Sequence, residues 1–301
     1  MARVEQLAGV AAFVEAARTG SFTTAAQKLG ITKSAVGKSI ARLEERLGAK
    51  LFYRTTRHLS LTPDGEAYFA SCAHALDEIG DAERTLTSKH GTPSGKLRID
   101  MPAAFGRLVL LPLLLDIAKA HPALRLVMTF TDRIIDPVEE GIDLSVRFGE
   151  LRDCSGLISR RLTEQNLVLC ASPRYLQAHG SPLHPNDLQS HKCIVGYRRG
   201  TVWSFVDKRG EAISVTPPAT HEVGDGDAIV AATIAGCGLS QMPASLVRKP
   251  IADGTIVPLL TGYSKAKVEI HAVWPRTRHL VPKVRAVVDA LVAKADAGAL
   301  D

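Results

Sequence analysis

The sequence predicts an α+β multidomain chain: an N-terminal winged helix-turn-helix, one long connecting helix, and a C-terminal α/β body. Three observations carry that prediction. Positive charge is concentrated at the N-terminus, apolar residues there recur at helical spacing between glycine stops, and beyond about residue 95 short β-rich runs alternate with helical stretches. At 301 residues the chain is long enough for two or three domains rather than one core.

The net charge of +6 is unevenly spread. Residues 1–62 hold ten Lys and Arg against four acids, and the rest of the chain carries 27 of each sign. A basic module on a neutral body is the electrostatic footprint of a polyanion binder. Arg3 and Glu5 interrupt the N-terminal apolar positions, unlike a signal peptide. The longest apolar runs, residues 108–115 and 228–239, fall short of the ~18 residues that span a membrane, so a cytoplasmic protein with no membrane partner is expected. Cys72, Cys154, Cys170, Cys193 and Cys237 show no short pairing and are odd in number, which fits neither a metal knuckle nor a disulfide framework and leaves reduced, mostly buried thiols, with a redox-sensing thiol as the alternative.

Element by element, Leu7, Val10, Val14 and Ala17 recur at three- and four-residue spacing, so residues 4–19 are expected to form an amphipathic helix ended by Gly20. A cap among Ser21, Phe22 and Thr23 opens a short second helix through Ala25, Ala26 and Leu29, stopped by Gly30. Thr32 or Ser34 opens a third, with a buried stripe of Val36, Ile40, Leu43 and Leu47 before Gly48. Two helices across a tight Gly-containing turn make a helix-turn-helix. Ser34, Gly37, Lys38 and Ala41 then share the outer face of the third helix, small enough to enter a groove and with a cationic donor for bases or phosphates. Residues 50–53 and 58–61 read as two short strands of a wing, with Arg54 and Arg57 near its tip, placed for phosphates or the minor groove.

These motifs resemble the LysR-type transcriptional regulators. The resemblance is carried by Ser21-Phe22 with Ala25-Ala26, by Ser34-Ala35-Val36, by Leu43-Glu44-Glu45-Arg46-Leu47-Gly48, by Leu51-Phe52-x-Arg54-Thr55-Thr56-Arg57, and by Leu59-Ser60-Leu61-Thr62-Pro63-x-Gly65. It implies a bacterial, nucleoid-associated regulator whose partner is double-stranded operator DNA. Thr23, Thr32, Lys33, Ser34, Lys38 and Arg42 are the expected contacts from the helices, and Arg54 and Arg57 those from the wing. Gly37 stands where the family usually carries Ser, which shifts base reading toward Lys33, Ser34 and Lys38.

From Pro63, Tyr68, Cys72, Ala75, Ile79, Ala82 and Leu86 recur at intervals of four, three, four, three and four, a heptad seam that reads as a dimerisation helix over residues 63–90. The alternative is an amphipathic helix packing on its own domain. The resemblance supports a homodimer and implies a homotetramer built from two dimers. Residues 91–95 follow as a Gly- and Pro-containing hinge.

In the body, residues 96–101, 125–131, 144–148, 166–171, 239–242 and 270–274 read as strands, and 108–120, 228–235 and 282–294 as helices. Their alternation argues for parallel sheets covered by helices, with a ligand crevice at strand carboxyl ends. Gly95-Lys96-Leu97-Arg98-Ile99, Asp143-Leu144-Ser145-Val146-Arg147-x-Gly149 and Ala235-Gly236-x-Gly238 resemble the LysR-type effector domain. That resemblance implies a bilobal fold similar to type II periplasmic binding proteins: lobe I from about 96–162 and 268–301, and lobe II from about 163–267. A small-molecule effector is then expected between the lobes. The turn through Pro102, Ala103, Ala104 and Phe105 would offer free backbone N–H groups at a helix start. Phe148, Tyr197, Trp203, Asp225 and Met242 are candidate walls, each equally a core or rim residue, and Arg147 is a candidate structural ion-pair partner. Ala103 and Ala104 replace the Ser or Thr usual in the family, which argues against a simple carboxylate effector or leaves the backbone to bind it.

No P-loop, G-x-S-x-G elbow or H-E-x-x-H motif occurs, and Gly236-x-Gly238 follows a helix without a third spaced glycine. His184, His191 and Cys193 surround a Pro-Asn-Asp stretch rather than metal-ligand spacing. The expectation is therefore a non-enzymatic, ligand-responsive DNA-binding protein with no cofactor and no metal. Its rivals are an architectural DNA-binding protein without a ligand, and a small-molecule-binding protein or enzyme with an unused N-terminus.

Overall fold

The computed structural model describes residues 2–54, 59–87, 92–133, 135–149, 156–196, 201–207, 209–263, 266–276 and 281–300. They form two compact units, residues 1–88 and 89–301. Among the described residues no helix is long and apolar enough to cross a membrane.

In the first unit, α1 (Ala2–Thr19), α2 (Phe22–Leu29) and α3 (Lys33–Leu47) precede a wing of β1 (Phe52–Arg54) and β2 (Leu59–Leu61), and α4 (Pro63–Thr87) follows. The helix ends are chemically specified. Ser21 Oγ accepts the Thr24 N–H and Thr32 Oγ1 that of Ala35, while Gly30 and Gly48 take the left-handed conformation that closes α2 and α3. The wing pairs antiparallel, Phe52 opposite Leu61 and Arg54 opposite Leu59.

The buried face of α1 differs from the expected stripe. Gly9, Ala12, Phe13, Val14 and Ala16 are buried, whereas Leu7 is 54% exposed and Val10 and Ala17 are only half-buried. The three-helix core is centred on the Phe13 ring, which packs on Phe52, Tyr68 and Phe69 with centroids at 5.3, 5.6 and 6.4 Å. An aromatic that large fixes which side of the helix turns inward. In α3 the inner face is Val36, Ile40, Leu43 and Glu44, and Leu47 is exposed. The helix ends there and its last turn swings to solvent.

The second unit runs β3 (Gly95–Met101), α5 (Ala103–Phe105), a π-helical turn (Gly106–Leu110), α6 (Leu111–Ala120), β4 (Leu124–Phe130), β5 (Leu144–Phe148), β6 (Leu157–Ala171), α7 (Pro173–His179), a 3-10 turn (Pro185–Ser190), β7 (Cys193–Gly196), β8 (Trp203–Val206), β9 (Ala212–Val215), β10 (Ala219–Val223), α8 (Gly226–Ile234), β11 (Ser240–Pro243), α9 (Ala244–Ala252), β12 (Val257–Leu259), β13 (Lys267–Pro275) and α10 (Pro282–Asp296). A seven-stranded sheet has the order β11-β6-β13-β5-β3-β4, with β12 also on β6.

The expectation of parallel sheets is corrected to a mixed sheet. β3 pairs parallel with β4 and β5, but β13 runs antiparallel to both β5 and β6. The reason is connectivity: β6 carries the chain out of one lobe and β13 carries it back, and the two crossing strands pair with each other. The 15 residues of β6 join the lobes, since residues 157–166 pair with β13 while residues 167–171 pair with β11 and β12. Lobe I is the β3, β4, β5 and β13 side, and lobe II holds the elements between β6 and β13. One apolar cluster links them, from Leu97, Ile99 and Phe105 to Ile229, Met242 and Leu246, and a second fills lobe II around Tyr175, Leu188, Trp203 and Phe205.

Candidate nucleic-acid interface and inter-lobe site

The first candidate surface lies on α3. Lys33, Ser34, Lys38, Ala41 and Arg42 are exposed and Gly37 is half-buried, while Val36, Ile40 and Leu43 on the opposite side are buried. A Cβ built at Gly37 meets nothing within 4 Å, so no part of the fold requires glycine there. Thr23 is exposed in the first turn of α2. Thr32 is exposed, and its Oγ1 accepts the Ala35 N–H at 3.2 Å as the cap of α3. Lys28 is tied to Glu15 at 2.8 Å, which removes a neighbouring cation from the same field.

The wing is attached to α3 by one carboxylate. Glu44 is buried, and its Oε1 accepts the backbone N–H of Leu51 at 3.0 Å and of Phe52 at 3.3 Å, while Lys50 Nζ lies 3.1 Å from Oε2. Burial alone would raise the Glu44 pKa; the Leu51 N–H, the Lys50 ammonium and the Phe52 N–H outweigh it and hold it below the ordinary value. Sequence reading missed this role, although a glutamate on the inward side of a helix is the available signal. Arg54 lies in β1, with its side chain outside the described residues, and Arg57 lies outside them altogether. Tyr53, which sequence reading passed over, is 54% exposed on the same strand.

Of the expected dimerisation seam, Ala75 and Ile79 are exposed, Ile79 at 46%. Tyr68 and Cys72 are half-buried and pack with Phe69, Ala73 and Leu76 on the core of their own unit. The side chains of Ala82 and Leu86 lie outside the described residues. Arg18 Nη2 donates to Asp77 Oδ1 at 2.6 Å, fixing α4 against the end of α1.

In the second unit the helix starts at Ala103 rather than near 108, and Ala103, Ala104 and Phe105 are buried. Pro102 is half-buried before them. The Ala103 N–H, expected to be free for an anion, donates to Asp132 Oδ1 at 3.1 Å. Phe148 packs edge-on against Phe105 at 5.1 Å. Asp225 caps α8, its Oδ1 accepting the Ala228 N–H at 2.9 Å. Met242 is buried, and a Cβ placed on Gly226 would lie 3.8 Å from its Cε and 3.0 Å from Ala104 Cβ. Ala104, Asp225 and Met242 therefore converge where the lobes meet. Trp203 does not join them: it is buried in the second cluster of lobe II, with its strand tied to Gln241 by Ser204. Tyr197 lies outside the described residues.

Arg107, absent from the expected list, is also at this junction. Its Nη2 reaches Asp225 Oδ2 at 3.4 Å and Asp227 Oδ2 more closely, and both aspartates raise its pKa, Asp227 the more. The signal available in sequence was a lone arginine in the first turns after β3. Arg147, by contrast, is internal to lobe I, 2.7 Å from Asp100 Oδ2, and Asp100 also accepts the Thr129 hydroxyl.

Among the described residues no group of His, Cys, Asp or Glu has the geometry to hold a metal ion. His184 Nδ1 accepts the Asn186 N–H as a cap, and His191 Nδ1 faces the Tyr175 hydroxyl at 3.2 Å. Burial pushes the Cys193 thiol up to about 12 and that of Cys170 to about 11, away from the thiolate form. Cys154 lies outside the described residues.

Comparison with known proteins matches residues 7–66 to the family described as bacterial regulatory helix-turn-helix protein, lysR family, and residues 90–296 to the LysR substrate binding domain. An HTH-type transcriptional repressor of Pseudomonas aeruginosa is 34% identical over 297 residues, covering 95% of this chain and 91% of that protein. The HTH-type transcriptional regulator CrgA of Neisseria meningitidis serogroup C is 33% identical over 283 residues, covering 93% of this chain and 94% of that one. The solved structure of CrgA from Neisseria meningitidis superposes with a TM-score of 0.60 at 32% identity, covering 95% and 98% of the two chains. Full-length AphB, a virulence activator of Vibrio cholerae, gives a TM-score of 0.60 at 26% identity, covering 95% and 98%.

Proposed function

The chain belongs to the LysR family of transcriptional regulators, and from that premise we propose that it reads an operator through α3 and answers to a small-molecule effector held between its lobes. The observation that carries the reading is the outer face of α3. Lys33, Ser34, Lys38, Ala41 and Arg42 are exposed together, on a helix capped at both ends and backed by a buried apolar stripe. In this reading α3 enters the major groove, where Lys38 and Ser34 meet base edges or phosphates, with Thr23, Thr32, Lys33 and Arg42 alongside. The wing, including Arg54 and Arg57, follows the adjoining backbone or minor groove.

Two copies assemble through α4, whose Ala75 and Ile79 are exposed, and a pair of such dimers makes a tetramer; the arrangement suits a two-fold operator. The effector sits where Ala104, Asp225 and Met242 converge, with Pro102, Ala103, Phe105 and Phe148 behind them. Because Ala103 already donates to Asp132, the backbone there offers less to a carboxylate than a bare helix end would. Effector binding favours one arrangement of the lobes, and the assembled regulator bends or releases its DNA accordingly. The protein acts in the bacterial cytoplasm and catalyses nothing.

The test is DNase footprinting of the full chain on its own upstream region at two salt concentrations, with and without a metabolite panel. A salt-sensitive footprint that shortens or shifts with one compound is the expected result. A footprint indifferent to every compound would favour an architectural protein, and no salt-dependent DNA affinity at all would remove the reading.

A further inference from the structure

The place where the lobes meet has both a steric and an electrostatic component. Sterically, Ala104 of lobe I abuts Gly226 of lobe II so closely that a Cβ on Gly226 would lie 3.0 Å from Ala104 Cβ and 3.4 Å from Leu246 Cδ1. Electrostatically, Arg107 leaves the π-helical turn of lobe I and places Nη2 against carboxylates on both sides of that glycine, Asp225 and Asp227. Asp225 is held rigidly, because its other oxygen caps α8 through the Ala228 N–H. The bridge therefore acts on the end of a helix and not on two loose side chains. Arg107, Asp225 and Asp227 side chains are 45%, 42% and 56% exposed, so water and salt reach the bridge and each pair is individually weak. A contact of that strength adds to the apolar cluster that joins the lobes, and it yields to a modest competing interaction.

We propose that Arg107, Asp225 and Asp227 form a latch that keeps the two lobes closed on each other in the ligand-free protein, so that an effector gains access only as the latch opens. This is the regulation of the inter-lobe site proposed above and rests on that reading for its purpose. The latch itself is a property of the free chain and is measurable without DNA or effector. An opened latch separates Ala104 from Gly226, exposing the backbone at residues 103–110 of lobe I and 224–231 of lobe II together. It leaves the strands of β6 and β13 paired, since they are the hinge about which the lobes move.

The experiment is hydrogen–deuterium exchange of the full-length protein without ligand. Arg107→Gln removes both ion pairs, and the expected result is roughly two- to tenfold faster exchange in both segments, with β6 unchanged. Raising sodium chloride to about 0.5 M should produce the same change in the parent protein through screening. Gly226→Ala tests the steric half without touching charge: its new methyl must push Ala104 away, and the same two segments should accelerate. The charge exchange Arg107→Asp with Asp227→Arg re-forms the closer pair and should slow exchange part of the way back, since the new carboxylate at 107 also faces Asp225. Unaltered exchange in Arg107→Gln, or acceleration confined to one of the two segments, would overturn the latch. Loss of operator binding with these exchange effects intact would remove the regulator reading and leave the latch standing.

Discussion

The carboxylate of Glu44 accepts the backbone N–H of Leu51 at 3.0 Å, and that bond ties α3 to the start of the wing. The same oxygen takes the Phe52 N–H, so a buried acid supplies the donors at the start of β1 with an acceptor. Glu44→Ala would leave those N–H groups without it, at a cost of about 2–4 kcal/mol. Chemical denaturation of the N-terminal unit should register it. Because the native pKa is depressed, the contribution of the charged form is complete above the ordinary value of 4.5 and is lost as pH falls through the native value. Stability of the parent protein minus that of Glu44→Gln should therefore shrink on acidification below about pH 4.5. A difference flat across that range would assign the role to shape rather than charge.

Gly65 makes a second joint at the same corner. A Cβ there would lie 2.1 Å from the Leu51 carbonyl oxygen, a backbone atom that has no rotamer to escape into. Thr62 closes the corner, donating to the Lys50 carbonyl at 2.6 Å and accepting the Gly65 N–H at 2.9 Å. Gly65→Ala should destabilise the N-terminal unit by about 3 kcal/mol, at the upper end of overpacking costs. A melting temperature equal to that of the parent would show that α4 can shift freely at its start.

These two residues mark where the sequence was and was not legible. Helix boundaries at Ser21, Gly30, Thr32 and Gly48 follow from local chemistry, and each is realised as a cap. The outer face of α3 follows from period alone. Glu44 does not, because its partners lie across a turn and only the fold reveals that a charged side chain points inward. In the C-terminal unit the alternation of β and α identified the class. It did not identify the sheet order, since antiparallel crossing strands leave no local mark. Most of lobe II, from α7 to β10, was unread: those elements are short, with strands of four or five residues. Arg107 was missed for the same reason as Glu44, its two aspartates being far away in the chain.

Lys38 and its neighbour Gly37 should separate recognition from stability. Lys38→Ala removes an exposed cation and should weaken operator binding while leaving unfolding unchanged. If its contact is to phosphate, the salt slope of binding falls by about 1. Gly37→Ala should do the reverse for stability, because glycine in a helix interior costs about 0.5–1 kcal/mol relative to alanine and the space beyond Gly37 is open. Slower amide exchange across α3 is the readout. Faster exchange would mean that the helix tolerates no methyl there.

Lys283 carries the last prediction. Its side chain is 2% exposed, in α10, where Nζ lies 3.5 Å from Asp143 Oδ2 and also donates to the Lys96 carbonyl. Asp143 in turn accepts the Arg98 N–H at 2.8 Å, so one ion pair ties α10 to β3 and to the entrance of β5. Breaking a buried pair by removing one member leaves the other charged in a dry setting, which costs more than the pair itself contributes. Lys283→Met keeps an unbranched apolar chain of nearly the same length, so the loss reports the removed ammonium and its contacts with Asp143 and the Lys96 carbonyl. The expected destabilisation is about 3–5 kcal/mol in the unfolding of the C-terminal unit. Asp143→Asn in the Lys283→Met background should recover part of it, because the amide oxygen still accepts the Arg98 N–H while a buried negative charge is removed. If the single and double variants unfold alike, the charge of Asp143 is solvated without Lys283, and α10 is held by its apolar face of Val284, Val287, Val288 and Leu291 alone.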